Sequence, residues 1–170
     1  MRFMRLLFVL FALCLSLPAH AGMTISFWSH DMDKNFPHTF ITTHGTDAQG
    51  RSVDANYGFT ATSLTPALLW GSVNGKMEDL SPGYIQRSQK RFTIAISQED
   101  YDRVMAVVHK WKALKGKSYN LNTRNCIHFV GEVGIALGLK VSWEKALMRK
   151  PRSFLDKVMA LNPFLKPEPK

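Results

Sequence analysis

Cys126 sits in the stretch YNLNTRNCIHFVGEVG, residues 119–134, and His30, His38, His44, His109 and His128 are the histidines beyond residue 21. A cysteine becomes a strong nucleophile when a base takes its proton, and histidine titrates in the range suited to that task. The apolar stripe Cys126, Phe129, Val130, Val133 and Leu137 has helical spacing, and Gly138 is suited to end the helix. Cys126 is therefore expected at a helix start, with Thr123 or Asn125 as its cap. Unpaired backbone N–H groups and the helix dipole favour negative charge there. They would depress the thiol pKa, and the same donors, at the Asn125 cap, would hold a developing oxyanion. The competing reading makes Cys126 a small apolar member of the buried stripe.

The histidines differ in their fitness as partners. His128 lies about 200° round the helix from Cys126, so the two cannot face each other. His109 falls mid-helix beside Val108, Lys110 and Lys112, His30 in a loop, and His44 at a strand end. His38 shares a strand face with Phe36 and Phe40, which should look into the core. That makes His38 the first candidate general base. A metal site is not expected, because Cys126-x-His128 and His38…His44 match no zinc spacing.

These side chains need elements to hold them. MTISFW (23–28) reads as a strand, HDMDKNFP as a loop closed by Pro37, and HTFITTH (38–44) as a second strand. GTDAQG (45–50) is a turn with Gly50 suited to a left-handed position. VDANYGFTA (53–61) returns as a third strand, so 38–61 forms a hairpin. The stretch 63–83 is irregular, with a small hairpin expected around Asn74-Gly75, and RFTIAIS (91–97) is a further strand. Ser97 looks like an N-cap for a helix over 98–114, whose face is Tyr101, Val104, Met105, Val108 and Trp111. Two short helices follow Gly138, the second entered at Pro151. Strands first and helices after argue for an α+β fold with an antiparallel sheet.

The first 21 residues read as an export signal: Arg2 and Arg5, the apolar run LLFVLFALCLSL, and Ala19 and Ala21 as an A-x-A cleavage site. An uncleaved anchor is the alternative. Residues 22–170 make a single domain, with 161–170 expected to fray. One cysteine beyond the signal cannot form an intramolecular disulfide, so it is buried and inert, paired with another chain, or kept for its chemistry. The formal charge of +9 falls to +7 without Arg2 and Arg5. From Leu139 onward eight Lys/Arg stand against three Asp/Glu. This basic surface suits an anionic polymer or membrane surface. No nucleic-acid motif is present.

PHTFI, YGF and YNLNTRNCIHFV followed by a Gly-containing helix together resemble the circularly permuted branch of the NlpC/P60, papain-like superfamily, which includes the lecithin:retinol acyltransferase-like proteins. The resemblance rests on Phe36–Phe59 and Tyr119–Leu137. It implies a circularly permuted papain-like arrangement, with a thiol–imidazole pair packing a helix against an antiparallel sheet: Cys126 as nucleophile and His38 as base. A third polar residue on a neighbouring strand usually orients the imidazole. If the turn centres on Ala48–Gln49, His38 lies opposite Phe59 and Tyr57 shares its face, which makes Tyr57 the orienter, whereas Asp54 and Asn56 point the other way. A slip of one residue would reverse this.

The expected function is an exported thiol hydrolase or acyltransferase, periplasmic or secreted and without a cofactor. The resemblance implies amide bonds of peptidoglycan peptides or lipid acyl esters as substrates. The basic C-terminal region would meet the peptidoglycan or a membrane lipid surface. The alternative is a non-catalytic envelope binding module on the same fold.

Overall fold

The computed structural model describes residues 22–31, 36–63 and 65–168. The proposed export signal and the centre of the loop before Pro37 lie outside them.

The fold is α+β. Five strands, β1 (Met23–His30), β2 (His38–Thr46), β3 (Ser52–Ala61), β4 (Gly75–Glu78) and β5 (Gln89–Ile96), form one sheet in the order β4-β3-β2-β1-β5. Every neighbouring pair is antiparallel. The helices are α1 (Pro82–Gln86), α2 (Gln98–Lys112), α3 (Cys126–Ala136) and α4 (Pro151–Leu161). The Lys145–Leu147 stretch is a single 3-10 turn rather than a helix of its own. The small hairpin expected at Asn74-Gly75 does not form. Gly75 instead opens β4, which pairs with β3, and Val73 bridges Tyr119.

One face of the sheet carries the main core. Ile25, Phe27, Ile41, Phe59 and Phe92 pack against Val104, Val108 and Trp111 of α2, Phe129 and Val133 of α3, and Phe154 and Leu155 of α4. Each such side chain contributes roughly 1.5–3 kcal/mol by leaving water. Helix α2 starts in a capping box, in which Asp100 N–H donates to Ser97 Oγ and Ser97 N–H donates to Asp100 Oδ2, both at 3.1 Å. The opposite face holds Trp28, His30, His38 and Phe40 beneath Tyr84 of α1.

The β2–β3 register differs from expectation by one residue. Phe40 pairs with Gly58 and Ile41 with Tyr57. The cause is the loop. Asp47 Oδ1 accepts the N–H groups of Gln49 and Arg51, and Asp47 N–H donates to Arg51 O. The turn therefore centres on Gln49 itself, not between Ala48 and Gln49. Of the segment expected to fray, the described part up to residue 168 is tied down: Leu165 is buried, and Glu168 N–H donates to Arg91 O.

Candidate functional site

Asn125 organises the site. Its backbone is extended, and its Oδ1 accepts the N–H groups of Ile127 at 2.9 Å and His128 at 3.3 Å, so it is the N-cap of α3. Its Nδ2 donates to Leu121 O at 2.6 Å and Met148 O at 2.7 Å. One buried amide thus ties the helix start to the loops on either side. With both N–H donors engaged, the Asn125 side chain serves as cap and brace, and the cap itself offers no spare donor to an oxyanion. The His128 Nδ1 lies 2.9 Å from Asn125 Oδ1 and 3.3 Å from Asn125 N. One tautomer cannot satisfy both contacts, and the shorter one sets Nδ1 as the donor to Oδ1.

Cys126 follows at the first helical position and is 4% exposed. The backbone N–H groups of Thr39, Ile127 and Cys126 lie about the sulfur and favour its anionic form, but burial outweighs them and pushes the thiol up to about 11. The expected depression of the thiol pKa is therefore reversed. A helix start lowers a thiol pKa only where the thiol also keeps enough polar contact, and burial removes that here. The Ile127 N–H is already committed to Asn125, whereas the Cys126 N–H has no acceptor within its own helix.

His38 opens β2 and is 7% exposed. Burial, then the charge of neighbouring His30, pushes its imidazole down to about 4. Its Nε2 is buried and has no hydrogen-bond partner among the described residues. The face it occupies was misassigned from sequence. His38 pairs with His30 across β1, and its ring stacks on Phe40, on the side of the sheet away from the main core. Phe40 is fully buried there, but Phe36 is half-exposed. The alternation gave no phase because β2 is covered on both faces.

Cys126 and His38 nevertheless line one cavity of about 620 Å³, together with Phe36, Leu68, Leu69, Leu80, Tyr119 and Met148. No hydrogen bond joins thiol and imidazole among those found for the described residues. Tyr57 is not brought to His38. The register turns it to the core side, where it borders a second cavity of about 370 Å³ with Met105, Val108 and His109. Asn56 takes the His38 face, but its amide is spent on Asp79 at 2.8 Å and Leu80 N–H at 2.7 Å. His30 is the polar side chain directly across from His38.

No family model matches the chain, and neither a curated protein nor a solved structure does.

Sequence reasoning passed over Tyr119 and Gly58. Tyr119 is 8% exposed, packs on Phe59 at 5.7 Å, and is held out of ionisation first by burial and then by proximity to Cys126. Its place seven residues before the cysteine, in the quoted motif, was the available signal. A Cβ on Gly58 would lie 2.6 Å from His38 Nε2, so only glycine leaves room for the ring. Among the described residues, no group of three or more His, Cys, Asp or Glu is placed to hold a metal ion.

Proposed function

We propose that this chain is a thiol hydrolase or acyltransferase on a permuted papain-like fold, with Cys126 as nucleophile and His38 as base. The observation that carries the reading is that His38, whose Nε2 is buried with no hydrogen-bond partner among the described residues, lines the same cavity as the helix-start residue Cys126. Burial holds both groups uncharged near neutral pH. The thiol proton passes to His38 Nε2 as Sγ attacks a substrate carbonyl, and the carbonyl electron pair moves to oxygen. The Cys126 N–H receives that oxyanion. Collapse expels the amine or alcohol, which takes its proton from His38, and leaves an acyl-thioester on Cys126. Water, or an acceptor hydroxyl, then resolves the thioester.

The cavity's apolar lining suits an acyl chain or an apolar side chain beside the reacting carbonyl. The test is intact-mass trapping with an activated ester and with a wall-peptide amide. The reading requires an acyl adduct on Cys126 that is lost in Cys126→Ser and slowed in His38→Ala. No adduct with any carbonyl substrate, from a folded protein, removes it.

One observation favours a second reading, a binding module. Burial suppresses the ionisation of both groups, and no hydrogen bond joins them. In that case the cavity holds ligand without turnover, and His38→Ala leaves the reactivity of the thiol unchanged.

A further inference from the structure

The mouth of the cavity carries an apolar projection. The 3-10 turn Pro66–Leu69 buries Leu68 in the wall but leaves Leu69 57% and the following Trp70 79% exposed. Two unlinked large apolar side chains on a surface need no explanation; two successive ones at a cavity rim do. The surrounding segments supply the second observation. Ser72 Oγ accepts from Asn120 at 3.2 Å, and Arg149 Nε donates to Asn122 Oδ1 at 3.0 Å, so the turns at 70–73, 120–124 and 147–150 adjoin. Residues 65–73, 119–126 and 145–153 contain five Lys/Arg and no Asp/Glu. Of these, Arg124, Arg149 and Lys150 are exposed, and no carboxylate pairs with them among the described residues. Acidic Glu78 and Asp79 also line the cavity and are engaged, the first by Lys76 and the second by Asn56.

We propose that this rim is a membrane-docking surface, with Leu69 and Trp70 entering the interface of an anionic bilayer while Arg124, Arg149 and Lys150 meet its headgroups. The arrangement is apolar prongs flanked by cations that have no carboxylate partner among the described residues. It fits a lipid surface better than a wall polymer, which offers charge without an apolar layer. A Trp beside a Leu is also the combination that settles at a membrane–water boundary. The surface shares Arg149 and Lys150 with the basic C-terminal region, whereas its apolar prongs and Arg124 lie outside that region, and it would set the cavity mouth against the bilayer. It does not depend on turnover, so it stands or falls apart from the catalytic reading.

The experiment uses the exported form, its N-terminus read by intact mass. Co-sedimentation is measured with phosphatidylcholine vesicles and with vesicles containing about a third phosphatidylglycerol. Wild type is expected to pellet preferentially with the anionic vesicles. Leu69→Ser/Trp70→Ser should lose about tenfold or more of that partitioning. Phe164→Ser removes an equally exposed apolar side chain elsewhere and should stay within about twofold of wild type. Light scattering accompanies each variant. Failure to pellet with either vesicle overturns the proposal. So does pelleting that the double variant leaves unchanged, which would mark adsorption by charge alone. A wild-type dimer that the double variant dissociates also overturns it, because the face would then join two copies of this chain.

Discussion

Replacing Asn125 by Ala should destabilise the protein far more than an exposed cap would. The side chain caps α3 through Oδ1 and braces Leu121 O and Met148 O through Nδ2. Loss of an N-cap costs about 1 kcal/mol. Each buried carbonyl left without a donor adds roughly 1–3 kcal/mol, less where water can reach it. The Met148 contact is fully buried and the Leu121 contact partly so, which gives about 3–4 kcal/mol in all. At this size that lowers Tm by roughly 8–12 °C. Urea unfolding followed by circular dichroism measures it. Asn125→Asp separates the two roles. It keeps the cap but turns a carboxylate toward two carbonyls, so its deficit should deepen as pH rises through the carboxylate range and shrink in acid. If Asn125→Ala lies within about 0.5 kcal/mol of wild type, the amide is not the brace described and the reasoning fails.

Stability should fall as pH drops from 6.5 toward about 4, because the unfolded chain protonates His38 before the folded one does. The loss approaches about 3 kcal/mol, it is absent above that window, and His38→Gln should flatten the acid limb in denaturant titrations. On the alkaline side, Cys126 holds its proton up to about 11 in the fold, so stability should decline between pH 9 and that value, and Cys126→Ala should remove the decline. Gly58→Ala places a Cβ 2.6 Å from His38 Nε2 and should displace the ring, slowing Cys126 acylation at least about tenfold at modest cost in stability. Gly131→Ala places one 2.3 Å from Trp143, whose ring stacks on His128 at 5.5 Å. It should cost about 1–3 kcal/mol and alter the near-ultraviolet dichroism of the tryptophans.

Local signals were legible where one interaction decided the structure. Ser97 with Asp100 begins α2, Asn125 begins α3, Pro151 begins α4, and Gly50 takes a left-handed φ of 75° in its turn. The sheet's register was not legible, because Asp47 closes a loop one residue longer than the turn assumed, and that single step moved Tyr57 to the other face. Helix α1 is only five residues long, yet Ser81 followed by Pro82 was a start signal in plain view. The side of the sheet on which His38 lies could not be read from HTFI, since His38, Thr39, Phe40 and Ile41 are all buried and leave no polar phase. The thiol's pKa direction failed for a related reason: a sequence marks a helix start, but burial comes from distant elements such as β2.

The central claim is that His38 acts on the Cys126 thiol. Its most direct test is the alkylation rate of Cys126 against pH in wild type and in His38→Ala, both shown folded by circular dichroism. With a thiol held neutral up to about 11, the wild type should still react measurably near neutrality through the imidazole. The variant should be at least about tenfold slower there, and the two profiles should converge at alkaline pH where the thiolate forms unaided. Superimposable profiles across the whole range would show that His38 does not touch the thiol's proton, and the account of the site would be wrong.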